Sequence, residues 1–286
     1  VQIGYDSLIT TSFYQPLDVA QKYFIEPATG WTRTQEDLFY DGERQASYFF
    51  DDYYAGLDLG ANLGNYAQAR AGYLYTYRDI ELETGITGLP EDTVTDAGLS
   101  LSATYDSRDT AFSPTSGIAF AMEFLQSNDS LGADRDWERL ELGIGAAVPV
   151  REDVIWLTLA GGSNLGSDLP FDRYFKIGGP GSFPGYQLGE VRTEEYWTAS
   201  GSYLWQFAEI QPLRGQALYA GVRLQAGEFP NRIDDVDEGL TYGGSVYLTG
   251  RTPVGPLTLG WGVTSTNTSS FWVTVGRPIG QGIILE

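Results

Sequence analysis

The chain of 286 residues contains no cysteine, no histidine and a single methionine. Without cysteine there is no disulfide framework and no thiolate chemistry, and without histidine the commonest general base and metal ligand are both missing. No window approaches the 18 consecutive apolar residues of a membrane-spanning helix. The sequence opens at Val1 without the charged-then-apolar profile of a signal peptide, and the expectation is a processed or excised product. Basic residues are scarce, 17 against 38 acidic ones, and a net charge of −21 repels nucleic-acid phosphates. A solvated acidic surface accounts for that balance. No G-x-S-x-G motif is present, since "GPGSFPG" at 179–185 carries Pro180 and Pro184 where the flanking glycines belong. The chain is therefore not expected to be an enzyme or to bind a cofactor.

What the sequence has in quantity is aromatic residues (14%), glycine (36 residues) and a period of two. In "ALYAGVRLQAG", Leu218, Ala220, Val222, Leu224 and Ala226 fall on one face, and Tyr219, Gly221, Arg223, Gln225 and Gly227 on the other. The same alternation runs through "AGLSLSATYD", "LTLGWGVT" and "AQARAGYLYTYR". About thirteen such stretches are expected, near 1–13, 22–39, 44–59, 66–83, 93–106, 116–127, 135–150, 154–166, 194–211, 216–229, 239–251, 255–265 and 269–278. Many exceed the roughly five or six residues of an ordinary soluble strand. Turn signals such as "DG" at 41–42 and "LGN" at 63–65 separate them, and no amphipathic helix is visible.

A soluble sandwich would bury its apolar face and wet a charged one. A transmembrane barrel turns the apolar face to lipid, frames it with aromatics and keeps polar or small residues inside. The second face here is rich in Gly, Ser, Thr, Gln and Arg. Aromatics gather at strand ends: Tyr48, Phe49, Phe50, Tyr53, Tyr54, Tyr75, Tyr77, Tyr203, Trp205, Phe207, Phe271 and Trp272. The fold expected is all-β, a transmembrane antiparallel barrel with an outer-membrane lipid partner, and no repeat of 40–50 residues points to propeller blades instead. An odd strand count fits a barrel poorly, so either one strand is miscounted or upstream strands lie outside the sequence.

One stretch breaks the pattern. Between Gly166 and about Thr193, "FDRYFKIGGPGSFPGYQLGE" (171–190) has no two-residue period, and loops of this length are uncommon unless they do something. Gly178, Gly179, Gly181 and Gly185 allow special backbone angles, Pro180 and Pro184 stiffen it, and Phe171, Tyr174, Phe175, Phe183 and Tyr186 are too apolar for a free loop. A disordered outer loop is the alternative to packing inside the barrel.

This segment resembles the inward-folding sixth loop of the Omp85 superfamily, the surface-antigen barrels that assemble, insert or secrete proteins at outer membranes. "DSRDTAFSPTSGIAF" (106–120), with Asp106, Arg108, Asp109, Pro114 and Gly117, is similar to that family's hairpin motif, and five strands follow the loop, as in the family's sixteen-stranded barrel. "YQPLDVAQKYFIEP" (14–27) resembles a signature of barrels that follow a patatin-like lipase in type Vd autotransporters. The resemblance implies one barrel domain over 1–286 with a passenger or periplasmic domain upstream, a bacterial outer-membrane location, an exported passenger or partner protein, and room for a homodimer. It also implies a loop motif of Gly178, Gly179, Gly181, Phe183, Pro184, Gly185 and Tyr186, and wall partners Arg223, Gln225 and Gly227. The family's loop arginine is replaced by Pro184 and its wall aspartate by Gln225; losing both charges together avoids stranding either. Packing of Phe183 and Tyr186, with Arg223 as a substitute cation, is then expected to hold the loop, while Gln225 as an ordinary lumen residue stays open.

The function implied is a translocator that anchors and helps export another protein through a weak seam between first and last strands. "SSFWVTVGRPIG" is the candidate seam strand because Gly276, Pro278 and Gly280 end its pairing. A passive channel and a barrel-assembly insertase are the alternatives. Arg70, Arg78, Glu123, Arg139, Glu141 and Arg223 are candidates for either a selectivity lining or structural ion pairs. "RIDDVDEG", with Asp234, Asp235, Asp237 and Glu238, lacks calcium-loop spacing and reads as a solvated tip, so no metal site is expected.

Overall fold

The computed structural model describes residues 7–40, 42–85, 92–110, 113–210, 216–234, 239–252 and 255–276. Among them are sixteen strands: β1 (Ser7–Ser12), β2 (Gln15–Pro16), β3 (Tyr23–Tyr40), β4 (Glu43–Leu63), β5 (Ala67–Gly85), β6 (Thr93–Asp106), β7 (Gly117–Ser127), β8 (Trp137–Val150), β9 (Asp153–Ser163), β10 (Phe175–Ile177), β11 (Val191–Thr193), β12 (Tyr196–Ile210), β13 (Gln216–Glu228), β14 (Thr241–Thr252), β15 (Gly255–Thr264) and β16 (Ser269–Val275). The only helical pieces among the described residues are two three-residue 3₁₀ turns, Asp129–Leu131 and Phe171–Arg173. Among the described residues no helix is long and apolar enough to cross a membrane.

The strands form a chain-order meander: one 14-stranded sheet runs β1, β3 to β9, then β12 to β16, with β2 paired onto β3. Five of its strands follow the long connection after β9. Turn residues set the hairpins. Gly42 and Gly64 take φ of 74° and 71°, a region closed to most L residues, so the "DG" and "LGN" signals mark real reversals. β16 stops at Val275, where Gly276 turns to φ 81°; Pro278 and Gly280 lie outside the described residues.

The two sheet faces divide as a membrane wall does. On β13, Val222 and Leu224 are 54% and 69% exposed while their neighbours Arg223 and Gln225 are buried. On β5, Tyr75 and Tyr77 are exposed while Thr76 and Arg78 are buried. A soluble sheet would show the reverse, so the apolar face is the one that needs a nonpolar solvent.

Contacts divide the chain into two units, Val1–Thr104 with Met122–Leu140 and Ser163–Arg173, and Tyr105–Ala121 with Glu141–Gly162 and Tyr174–Glu286. The first holds a buried cluster of Ala46, Tyr48, Phe50 and Ile80, with Phe171 packed on it. The second holds Ala147, Val154, Trp156, Leu204, Tyr247 and Trp272. Tyr48, Phe50 and Trp272 therefore leave the expected aromatic girdle. Each faces inward, because a two-residue period separates the faces without saying which one meets lipid. The stretch 171–190 also departs from expectation: it borders a small sheet of its own, β10 paired with β11 from Phe175↔Thr193 to Ile177↔Val191. Three-residue strands are too short for periodicity to reveal.

Close strand packing relies on missing side chains. Phe24 on β3 lies across Gly60 on β4, where an added Cβ would meet the ring at 2.0 Å. Gly60→Val is expected to lower folded stability by about 1–3 kcal/mol through this clash. The temperature at which the detergent-solubilised barrel shifts from its compact to its unfolded gel mobility measures it; an unchanged temperature counts against this packing.

Candidate functional site

The segment 171–190 is divided between the units, and each end has its own anchor. In the first unit, Phe171 packs against Phe50 with ring centroids 6.4 Å apart. The next residue, Asp172, has a fully buried carboxylate that takes Arg78 Nη1 at 2.7 Å and Arg135 Nη1 at 2.7 Å. Arg78 also binds Asp52 at 2.6 Å. Arg135 and Arg173 both reach Asp96, at 2.8 and 2.5 Å, and the Trp137 indole donates to the same carboxylate at 2.8 Å. Asp52, Asp96 and Asp172 thus face Arg78, Arg135 and Arg173, three charges of each sign. Burial penalises the Asp172 carboxylate, but Arg135, Arg78 and Arg173 outweigh that penalty and hold its pKa below the usual aspartate value.

In the second unit the loop tip folds on itself and onto the polar face of β13 to β16. The Gly179 N–H donates to Tyr186 O at 3.0 Å, closing the tip. Phe183 is completely buried, 5.6 Å from the Tyr186 ring and edge-on to Phe229 at 5.4 Å. Arg223 donates to the carbonyls of Pro180 (3.2 Å) and Ser182 (2.8 Å), and Gln225 Nε2 donates to Pro184 O at 2.8 Å. Ser270 Oγ accepts from the Gly185 N–H at 3.3 Å, and Tyr186 OH meets Thr266 at 3.1 Å. The wall grips the loop by its backbone carbonyls, a mode open to neutral and cationic donors alike.

Register explains why the tip fits. Ser202, Arg223, Ser245, Gly262 and Ser270 form one cross-strand row on the polar face. At Gly262 an added Cβ would lie 2.8 Å from Pro184 C, and at Gly243 it would lie 3.2 Å from the Phe183 ring. Gly185 sits at φ 119° against Val263 and Thr264, where a side chain would meet the strand. Gly178 and Gly179 also take positive φ, while Gly181 is half-buried. Gly227 lies close to the Trp197 carbonyl and to Phe229. Gly243 and Gly262 escape a sequence reading because a glycine in a strand marks close backbone approach without naming the partner.

The "DSRD" hairpin, also in the second unit, is a rigid turn. Asp106 pairs bidentately with Arg108, at 2.9 and 2.6 Å. Asp109 accepts from the backbone of Thr110, Thr115 and Ser116 and from the Thr115 hydroxyl. Burial opposes, and these donors override it, so the Asp109 pKa falls below its ordinary value. Pro114 O accepts from the buried Trp156 indole at 2.8 Å, and Gly117 reverses the chain at φ 106° against Ser107 and Arg108.

The remaining candidates are accounted for in part. Arg70 pairs with Glu26 at 2.9 Å, and Glu141 accepts from Tyr196 OH at 2.7 Å. These two contacts lie within the wall, whereas Arg78 joins the wall residue Asp52 to Asp172 of the 171–190 segment. Asp234 pairs with Arg232 at 2.6 Å, while Asp235, Asp237 and Glu238 lie outside the described residues. Among the described residues no group of three or more acidic side chains is placed to hold a metal. Asp172, Asp96, Arg135 and Arg173 went unassigned in the sequence, since their convergence requires residues 37 to 77 positions apart to meet.

The sequence pattern of the Omp85 superfamily domain matches residues 1–276. No curated protein sequence matches the chain. Among solved structures, it is similar to BamA from Haemophilus ducreyi lacking POTRA domains 1–3, with a TM-score of 0.71 and 14% identity over 94% of this chain and 61% of that one. It is also similar to CdiB from Escherichia coli, with a TM-score of 0.63 and 12% identity over 94% of this chain and 51% of that one. The chain thus spans between about half and three-fifths of the length of these structures.

Because the folded Asp172 pKa is lowered, its contribution is fully present above the unfolded aspartate value and fades as pH falls through the folded one. Asp172→Asn is expected to destabilise the barrel at neutral pH by about 3–5 kcal/mol, the cost of breaking a buried pair. It should also flatten the loss of stability below about pH 4. Denaturant midpoints of both proteins from pH 7 to 2 test this; parallel pH profiles would overturn it. For the loop tip, Gly262→Val is expected to displace Pro184. Ser182→Cys supplies a thiol to a protein without cysteine, and maleimide should modify it about tenfold faster in the Gly262→Val background, a shift of about 1.4 kcal/mol in loop opening. Equal rates would show that the tip does not depend on this contact.

Proposed function

We propose, from the premise that this chain belongs to the Omp85 superfamily of outer-membrane β-barrels, that residues 1–286 act as one translocator barrel that anchors an attached or partner protein and helps export it. The observation that carries the proposal is the dock of Pro180–Tyr186 on the polar face of β13 to β16. It is made of three carbonyl contacts from Arg223 and Gln225, of contacts with the Ser270 and Thr266 hydroxyls and of aromatic packing around Phe183, and among the described residues no strand ladder joins tip to wall. Such a plug blocks a barrel interior at rest and is released without unzipping a sheet.

The end of the sheet at β16 supports the same reading. β16 pairs with β15 over seven residues and stops at Gly276, whereas β3 and β4 pair along their whole length from Tyr23↔Ala61 to Tyr40↔Glu43. A short strand at a sheet end exposes backbone donors and acceptors to an incoming strand. In this proposal β16 is the strand at which an exported chain is accommodated. The route would be type V secretion, and the passenger patatin-like, a finer assignment that rests on "YQPLDVAQKYFIEP" alone. There Gln15–Pro16 folds back on Phe24 and Ile25, and Tyr14 stacks on Phe24 at 4.6 Å.

Deletion of 178–186 in the full-length protein separates the readings. The deletion can close, because β10 and β11 already bring Ile177 beside Val191. Single-channel conductance is expected to rise and surface display of the exported protein to fail. If conductance rises while display persists, the loop is a plug that export does not need. If neither changes, the tip is decoration and the translocator reading falls.

A further inference from the structure

On the apolar face of β12 to β16 side-chain size varies in a pattern set by register. In one cross-strand row Tyr203, Val222, Val246, Trp261 and Phe271 stand side by side; in the next are Trp205, Ala220, Leu248, Leu259 and Val273. Aromatic rings therefore rise on β12 in both rows and on β15 and β16 in the first, while β13 and β14 between them carry the aliphatic Ala220, Val222, Val246 and Leu248. Strands about 4.8 Å apart put the β12 and β15 backbones roughly 14 Å from each other, wide enough for a trough running along the strands. The surface there is an almost wholly apolar groove of about 660 Å³. An apolar cavity of about 150 Å³ suffices for a benzene ring, so this one has room for a larger apolar body.

We propose that this groove is a fixed binding site for one acyl chain of a membrane phospholipid. Val222, Val246, Trp261 and Phe271 are all close to half exposed or more, and they belong to the same apolar face that meets lipid along the rest of β13 to β16. Lipid tails are as apolar as the groove, so transfer from water contributes nothing. Retention comes from dispersion contacts on a floor and two aromatic walls, which a flat lipid-facing strand cannot supply. A vacant trough would forfeit those contacts.

The source is a phospholipid because of where the groove sits. Its rows are the middle of the strands and the next row toward the end where Ile210 of β12 pairs with Gln216 of β13, Thr252 of β14 pairs with Gly255 of β15, and 151–152 turn β8 into β9. The other end carries 164–195, 229–234 and 265–268. Outer-membrane barrels put short turns on the periplasmic side, where the inner leaflet is phospholipid. The same strands present Arg223, Gln225, Gly243 and Gly262 to the loop tip on their opposite face, so a chain bound outside braces the wall that grips the loop inside.

The test reconstitutes the full-length protein in phosphatidylethanolamine–phosphatidylglycerol nanodiscs, returns it to detergent and counts retained phospholipid by native mass spectrometry. Wild type and Leu101→Phe, on β6 outside the groove, are expected to keep one lipid. Ala220→Phe with Val222→Phe fills the trough, and Trp205→Ala with Phe271→Ala removes its walls. Each pair should lower occupancy about tenfold, equivalent to about 1.4 kcal/mol. Equal retention by all four proteins means ordinary boundary lipid and overturns the proposal. Loss of a dimer on filling, without a lipid in wild type, assigns the groove to a second copy and overturns it too. The readout is lipid count, so it stands or falls separately from export.

Discussion

A wall one residue thick, with lipid on one side and a polar interior on the other, has to satisfy every polar group it turns inward. That requirement organises the second unit. Arg223 and Gln225 alternate with Val222 and Leu224, so once the apolar side chains meet lipid a guanidinium and an amide are committed to the inner face. Loop carbonyls from Pro180, Ser182 and Pro184 receive them, and the glycines at 243 and 262 leave the space into which the loop descends. The loop needs the wall for its buried rings, and the wall needs the loop for its donors.

The first unit meets the same requirement with charge. Asp172 arrives among arginines from β5 and from the approach to β8, and Asp52 and Asp96 balance the count. Removing one member would strand the others in a site with little water, which makes such a network costly to lose and specific in how it forms. The tip carries Pro184 and faces Gln225, and it is held by neutral and cationic donors on carbonyls, while the full ionic cluster stands at Asp172, near the start of the same segment. Weak contacts at Pro180–Tyr186 beside a strong anchor at Asp172 suit a segment whose tip detaches while its base stays.

The period of two made thirteen of the strands legible with boundaries close to those observed, because alternation along an extended chain is a local property. Long strands, scarce helix signals and a second face of Gly, Ser, Thr and Arg identified a membrane wall for the same reason. The loop was legible as an interruption. Its partners were only partly so: Arg223 and Gln225 were reachable through the family resemblance, with alternation placing them on the polar face, whereas Asp172, Arg135 and Asp96 were not, and neither were the short strands β10 and β11. Tyr48, Phe50 and Trp272 were assigned to the girdle and lie inward, since aromatic content says nothing about depth.

The sequence alone determined that this is a transmembrane all-β protein without thiol or imidazole chemistry, because composition and alternation are read residue by residue. It also determined that 171–190 cannot be an ordinary strand, given its glycines and prolines. Tertiary structure decided which residues meet across the sheet. The Asp172 cluster, the glycine floor beneath Pro184 and the aromatic-walled groove over Ala220 each join positions tens of residues apart. Their proximity follows from strand register, a property of pairs of strands that no single strand contains.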